Sequence, residues 1–564
     1  MTKTGAFTLL LFHTITFCFT QISFLDYNPN RFHTFDRISA IHPKYFLPHT
    51  AIRYTDPLVY VDLLDSLSIF SISDQEQLKK FIGEYDEINP YIKINKREDT
   101  KNGSGFWGAF YSVPYHLYRV STDDFELRVN PIINIQGGSS SGNAIYQNTR
   151  GLKIKGSIDR KIYFYSTIYE NQREFLPFVN QRINRWGAIP GQGFYKGYQS
   201  NILTSFNGWD YLNAQAYTGL KISKSIDLQL GFGNNFIGDG HRSLLLSDYS
   251  HNYLYLKLNT NVWKFHYQNL FTELAPISST QSEGDKLLPK KYMVAHYLDF
   301  KPSSRISIGL YEAVVFSRNN QFEIQYINPV ILYKTIEQFL DSPDNVLIGL
   351  NLSYVPVDGT KLYGQLMLDE FRSDQIFAGN GWWGNKIAYQ LGVKHYDLFN
   401  IDRLDLQLEY NTARPYTYSH RVTDETGNVL TSYSHFNQAL AHPLGANFNE
   451  IIFEIKYQPS SDVRLSTKIL KSNYGDSITE NIGFDFLLNN ETRAENFGNF
   501  TGQGIPIEVT LLDLGISYEL FPGYYAELRY LYRNQTSETA TLNDKTSYIS
   551  LGVSVNMFNK RIDY

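Results

Sequence analysis

Leu512-Asp513-Leu514-Gly515-Ile516-Ser517-Tyr518-Glu519-Leu520 sets the reading of this chain: every second residue is apolar, and those between are polar or glycine. A Phe521-Pro522-Gly523 turn follows. Tyr524, Ala526, Leu528, Tyr530 and Tyr532 then alternate with Tyr525, Glu527, Arg529, Leu531 and Arg533. Successive side chains of a strand point to opposite faces, so a strict period of two makes two chemically different faces. One face here is apolar and aromatic, and the other carries charges of both signs. A barrel with lipid outside and water inside uses its strands in this way.

The same rhythm runs from about residue 106 to the last strand candidate, 548–558. Short turn candidates rich in Pro, Gly, Asn, Asp and Ser lie at Ser121–Asp124, Ser157–Lys161, Ser223–Ser225, Asn259–Asn261, Lys301–Ser304, Pro356–Thr360, Phe399–Asp402, Gln458–Asp462 and Phe521–Gly523. Long segments separate them: 171–206, 234–252, 272–292, 317–345, 370–387, 412–449, 471–510 and 534–547. Nine hairpins and a final strand make nineteen candidates. Bacterial single-chain barrels have even counts, so eighteen is expected and twenty is the alternative. The fold class is therefore all-β, an outer-membrane β-barrel of about 18 antiparallel strands over residues 106–564. Short turns would face the periplasm and long loops the outside. A soluble propeller is disfavoured by this asymmetry, by strand lengths near those that cross a bilayer, and by the lack of a blade-length repeat.

Composition agrees. The 564 residues carry a net charge of only -5, so no single-sign field points to nucleic acid. Aromatics make up 15% of residues, 43 of them Tyr, yet the mean hydropathy is -0.32. Alternating strands hide their apolar half in such an average. Residues 1–20 read as a secretory signal, with Lys3 before an apolar run from Ala6 to Phe19. Cys18 is the only cysteine, so a mature chain would hold no disulfide. Residues 21–105 differ from the rest and read as a small N-terminal plug or periplasmic segment, with a helix packed on the barrel rim as the alternative that periodicity cannot separate. Asp74 is placed to cap a helix carrying Leu78, Phe81, Ile82 and Tyr85, ended by Asn89-Pro90.

Enzyme signatures are thin. Gly138-Ser139-Ser140-Ser141-Gly142 matches a nucleophile-elbow pattern but lacks its strand-to-helix setting. The histidines show no metal-ligand spacing, and neither a metal nor another cofactor is expected. Asp369, Asp405, Glu409, Asp513, Glu519 and Glu527 read as partners for lumenal cations such as Arg529 and Arg533, not as an acid/base pair. The chain is therefore read as no enzyme. Its loops are more suggestive. Trp382-Trp383, Arg414-Pro415-Tyr416 and His435-Phe436-Asn437 combine flat rings with hydrogen-bonding groups, as sugar sites do. Packing between loops is the structural alternative.

Asn235-Phe236-Ile237-Gly238-Asp239-Gly240-His241-Arg242-Ser243-Leu244-Leu245-Leu246-Ser247-Asp248 resembles a segment of the Wzi-like capsule-assembly proteins of Bacteroidota, a group that includes the gliding-motility protein RemB. Tyr363–Phe371, Asn411–His420 and Ala441–Phe448 are similar to further segments of that group. The resemblance implies a barrel in the cell outer membrane serving surface polysaccharide assembly or attachment, or gliding motility. Its partners would be outer-membrane lipid, surface polysaccharide and gliding or secretion machinery proteins. It supplies no catalytic residues. A channel for small solutes is the alternative. Loop chemistry and these segments together nominate Asp239, His241, Arg242, Trp382, Trp383, Arg414, Tyr416, His435 and His442 as saccharide ligands converging at the external mouth.

Overall fold

The computed structural model describes residues 29–44, 49–53, 60–64, 67–86, 88, 115–159, 161–199, 207–278, 287–330, 332–370, 372–425, 427–477, 479–557 and 562–564. The expected signal, residues 1–20, lies outside them.

Eighteen antiparallel strands, from Phe125–Ser140 to Asp544–Val555, pair each with the next. Ile133–Ser140 of the first pairs with Tyr548–Val555 of the last, which closes the barrel. The nineteenth candidate resolves into Tyr118–Ser121. This short strand covers only Glu126–Val129 of the first spanning strand and does not itself cross. Seven of the other eight expected short turns join neighbouring spanning strands at one end of the barrel; Asn259–Asn261 is instead paired strand, and the turn there falls at Trp263-Lys264, with Trp263 at φ 55°. At the opposite end one connection is a two-residue hairpin, Ser141-Gly142, with φ of 52° and 87°. That is the backbone a type I′ turn demands, and Gly142 supplies it freely. The apparent nucleophile motif is thus a hairpin.

The two faces follow the alternation. On the last strand Leu551 is 66% exposed and Val553 41%, while Ser550 and Ser554 are buried. Leu310, Leu352, Leu391, Leu408, Ile451 and Ile516 continue the outward apolar belt. Inward positions carry polar and charged groups, and most are buried because chain fills the lumen.

Two helices, Pro29–Ile41 and Ile72–Glu84, pack together through Phe35, Ile38, Leu78, Phe81 and Tyr85. The second forms where the 3–4 spacing of Leu78, Phe81 and Tyr85 lays one apolar stripe against the first. Its cap is Ser71, whose hydroxyl accepts from the Asp74 amide, and not Asp74 as the sequence suggested. Asp74 is instead buried between Arg37 and Arg403. The pair sits against the short-turn end. Arg37 Nη1 lies 2.8 Å from Asp405, and Lys80 Nζ lies 2.7 Å from Asp462 and 2.5 Å from Glu519. Asp36 meets Lys361 at 2.7 Å and Lys394 at 2.5 Å. Burial alone would raise the Asp36 pKa, but these two ammonium groups hold it far below the carboxylate range.

Candidate functional site

The connection 234–252 leaves the wall and folds into the lumen, where the wall satisfies its backbone. The Glu409 carboxylate accepts from the amides of His241 at 2.6 Å and Arg242 at 3.0 Å. Gln365 accepts from the Leu244 amide at 2.8 Å and donates to the Ile237 carbonyl at 3.1 Å. Gln390 donates to the Arg242 carbonyl at 3.2 Å. Close approach explains Gly240, since a Cβ there would lie 2.6 Å from the Glu409 carboxylate.

Charges inside this loop are paired with the wall. Asp239 meets Lys361 at 2.5 Å. Burial would raise its pKa, but Lys361, with help from Lys394, holds it below its usual value. Arg242 lies between Glu450 at 3.1 Å and Asp563 at 2.8 Å. Asp563 also takes His241 and Lys468, at 2.8 and 2.6 Å. Burial opposes its charge, but Arg242 and Lys468 hold the carboxyl well below its ordinary pKa. His442 stacks on Phe448 and bonds Glu450 at 2.8 Å. Burial lowers its pKa against the pull of that carboxylate.

Four nominated residues, Asp239, His241, Arg242 and His442, therefore lie inside the lumen and not at the mouth. Buried charges demand partners, and the wall provides them. His435 is also buried, accepting from the Ala275 amide at 3.0 Å and stacked on His251. Burial drops its pKa to about 3.

The remaining four do meet at the long-loop end. Trp382 and Trp383 have ring centroids 6.0 Å apart, and the Trp383 ring stands edge-on to Tyr416 at 6.2 Å. Both tryptophans are half-buried. Tyr416 is buried, its hydroxyl donating to the Asn481 carbonyl at 2.9 Å. Arg414 donates to the carbonyls of Asn385 at 2.9 Å and Asn499 at 3.4 Å, so it ties three loops together. Two cations missed in the sequence flank the rings. The Arg493 guanidinium sits 4.1 Å from the Trp383 centroid, and that of Arg372 5.7 Å from Trp382. Arg493 reaches Trp383 from a different loop, and Arg372, ten positions before Trp382 in the same loop, has no regular spacing to it.

The segments that carried the resemblance interlock. Gln365 holds loop 234–252, the Tyr418 hydroxyl donates to the Leu244 carbonyl at 2.8 Å, and Ser247 Oγ donates to the Ala441 carbonyl at 2.5 Å. Their shared feature is thus the filling of one lumen.

An 18-strand antiparallel barrel with an apolar outer belt and its own loop folded into the lumen is an outer-membrane-type barrel. Residues 211–548 match the family model for the capsule assembly protein Wzi, and the chain belongs to that family. It is similar to a solved structure described as Wzi, an outer membrane protein involved in group 1 capsule assembly in Escherichia coli and a carbohydrate-binding β-barrel. That similarity has a TM-score of 0.54 at 13% identity, over 95% of this chain and 99% of that one. OprD of Pseudomonas aeruginosa is more distant, with a TM-score of 0.41 at 9% identity over 76% of this chain and 94% of that one. No curated protein sequence matches the chain.

Proposed function

We propose that the protein is a non-enzymatic outer-membrane barrel that holds surface polysaccharide at its long-loop end. The observation that carries this is the pairing of a filled lumen with aromatic rings and guanidinium groups at the mouth, in a chain of the Wzi family. A sugar ring can stack on Trp382 or Trp383 through its CH face, while Arg372 and Arg493, paired with Asp374 at 2.9 Å and Glu491 at 3.1 Å, flank the rings as charged hydrogen-bond donors. Arg414 and Tyr416 position that cluster. Asp239, His241, Arg242 and His442 act beneath it by fixing the plug. Residues 21–105 are read as a plug at the periplasmic end, supported by the ion pairs of Arg37, Asp36 and Lys80.

A barrel filled in this way should conduct ions poorly, which sets it apart from a solute channel. The test is retention of the host's own extracted polysaccharide by the purified barrel. Trp382→Ala/Trp383→Ala barrels should fold and lose retention. Normal retention by that variant would overturn the site. Deletion cells that keep their capsule but fail to spread on surfaces would move the role to gliding motility.

A further inference from the structure

The segment joining Ile306–Phe316 to Asn345–Val357 behaves unlike the other long loops. On the first of these strands Ile306, Ile308, Leu310, Glu312, Val314 and Phe316 share the outward face. Glu312 is the lone charge among them. Its register partner on the next strand is His296, and the partner of His296 one strand further is Asn269. Three adjacent strands thus set a polar row across the outer wall, where bare lipid would leave a carboxylate unpaired.

The loop folds down over this row. His296 Nε2 lies 2.8 Å from Glu312, and its ring stacks on Tyr333 with centroids 4.3 Å apart. Glu312 also accepts from the amides of Tyr333 at 3.0 Å and Lys334 at 3.1 Å, the first turn of the helix Tyr333–Leu340. Tyr267, near the short-turn end of its strand Phe265–Leu274, donates its hydroxyl to the Pro329 carbonyl. The loop therefore reaches far down the wall. Tyr326, Tyr333 and Ile336 pack inward on Val294, Val314 and Phe316.

Its other side carries large apolar residues among exposed polar ones, Gln325, Asn328, Thr335, Gln338 and Lys334, the last paired with Glu337 at 2.5 Å. Ile324 is 73% exposed, Val330 80%, Leu332 64% and Phe339 80%. The wall flanking Glu312, at Leu310 and at Ile348, the register partner of Glu312, is itself outward and apolar, so the segment adjoins the apolar belt. Two backbone amides of the segment have internal partners as well: that of Val330 bonds the Asn328 side chain, and that of Thr335 bonds the Leu332 carbonyl. Irregular backbone survives at membrane depth only with such partners.

We propose that this segment is a flap embedded in the bilayer, with Ile324, Val330, Leu332 and Phe339 contacting lipid acyl chains and the Glu312–His296 row latching it to the wall. The proposal rests on the outer-membrane reading above. Nitroxide labels at Val330→Cys, Phe339→Cys and the wall position Leu310→Cys, in a Cys18→Ser chain, test it in phosphatidylcholine/phosphatidylglycerol vesicles. Collisions with oxygen and with a water-soluble nickel chelate are compared. All three labels should favour oxygen, and Glu312→Leu should shift only the flap labels toward nickel. Flap labels that favour nickel while Leu310 favours oxygen would overturn the flap. Dipolar broadening between flap labels of two copies would also overturn it, in favour of a protein interface. A Leu310 label that favours nickel would instead overturn the membrane reading itself.

Discussion

Arg242 and Asp563, 321 positions apart in sequence, meet at 2.8 Å inside the lumen. The contact ties the inward-folded loop to residues beyond the closing strand. Because Arg242 also bonds Glu450 and Asp563 also bonds Lys468, the pair is the centre of a charge network rather than an isolated bridge.

Removing one partner of such a pair strands a buried charge. Arg242→Ala should cost about 3–5 kcal/mol. Asp563→Asn should cost less, since Arg242 keeps Glu450. Heat-modifiability gels that track the folded barrel in detergent would show the order. A larger loss for Asp563→Asn would place the network's weight elsewhere.

Arg37 faces Asp74, Asp397, Asp402 and Asp405 at 2.7–3.2 Å. Arg37→Ala should free the helix Pro29–Ile41 from the barrel at a cost of about 3–5 kcal/mol, leaving the strands folded. Limited proteolysis should then cut between residues 29 and 84 while the barrel core stays resistant.

Acid should loosen the loop crown. Burial holds both His420 and His435 near a pKa of about 3. The unfolded imidazole titrates near 6.5, so between these values only the unfolded form takes up the proton. Their stabilising effect is complete above about pH 6.5 and shrinks as pH falls, by about 1.4 kcal/mol per unit per histidine. Hydrogen exchange across residues 414–447 should accelerate from pH 7 to pH 5. His435→Asn should flatten that dependence.

The faces of the closing strand give a sharper contrast than the sequence offered. Val553→Arg should cost about 2–4 kcal/mol near the bilayer midplane. Arg at the neighbouring Ser554 would also fail, because that lumenal position is fully buried. Ser554→Ala is therefore the informative lumenal change. It should leave the folded fraction nearly intact, and a loss equal to that of Val553→Arg would refute the register.

Strand faces and turns were legible because period two is a local property, readable from Leu512–Leu520 alone. The even strand count followed from closure, although only pairing showed that Tyr118–Ser121 is the surplus strand. Lumen contents were not legible. Asp239 and Arg242 read as loop residues because Lys361, Glu450 and Asp563 are distant in sequence. The rings of the aromatic cluster, Trp382, Trp383 and Tyr416, were visible; its flanking cations Arg372 and Arg493 were not. One signal was readable and passed over: Glu312, a lone charge in an otherwise apolar outward series, marks where a wall is covered.

The hairpin turn Ser141-Gly142 has a consequence for the shape of the rim. Its two strands lie nearly opposite Thr360–Glu370 and Lys386–His395, which carry the tryptophan loop. The adjoining connection, between Tyr524–Ser537 and Asp544–Val555, is short as well. The two hairpin strands are 16 residues each, against 11 and 10 on the tryptophan side, so the rim across from Trp382 and Trp383 is built of paired strand and not of a long loop. A chain resting on Trp382 and Trp383 would thus face a hydrogen-bonded edge across the mouth, whose height is fixed by strand pairing rather than by loop conformation.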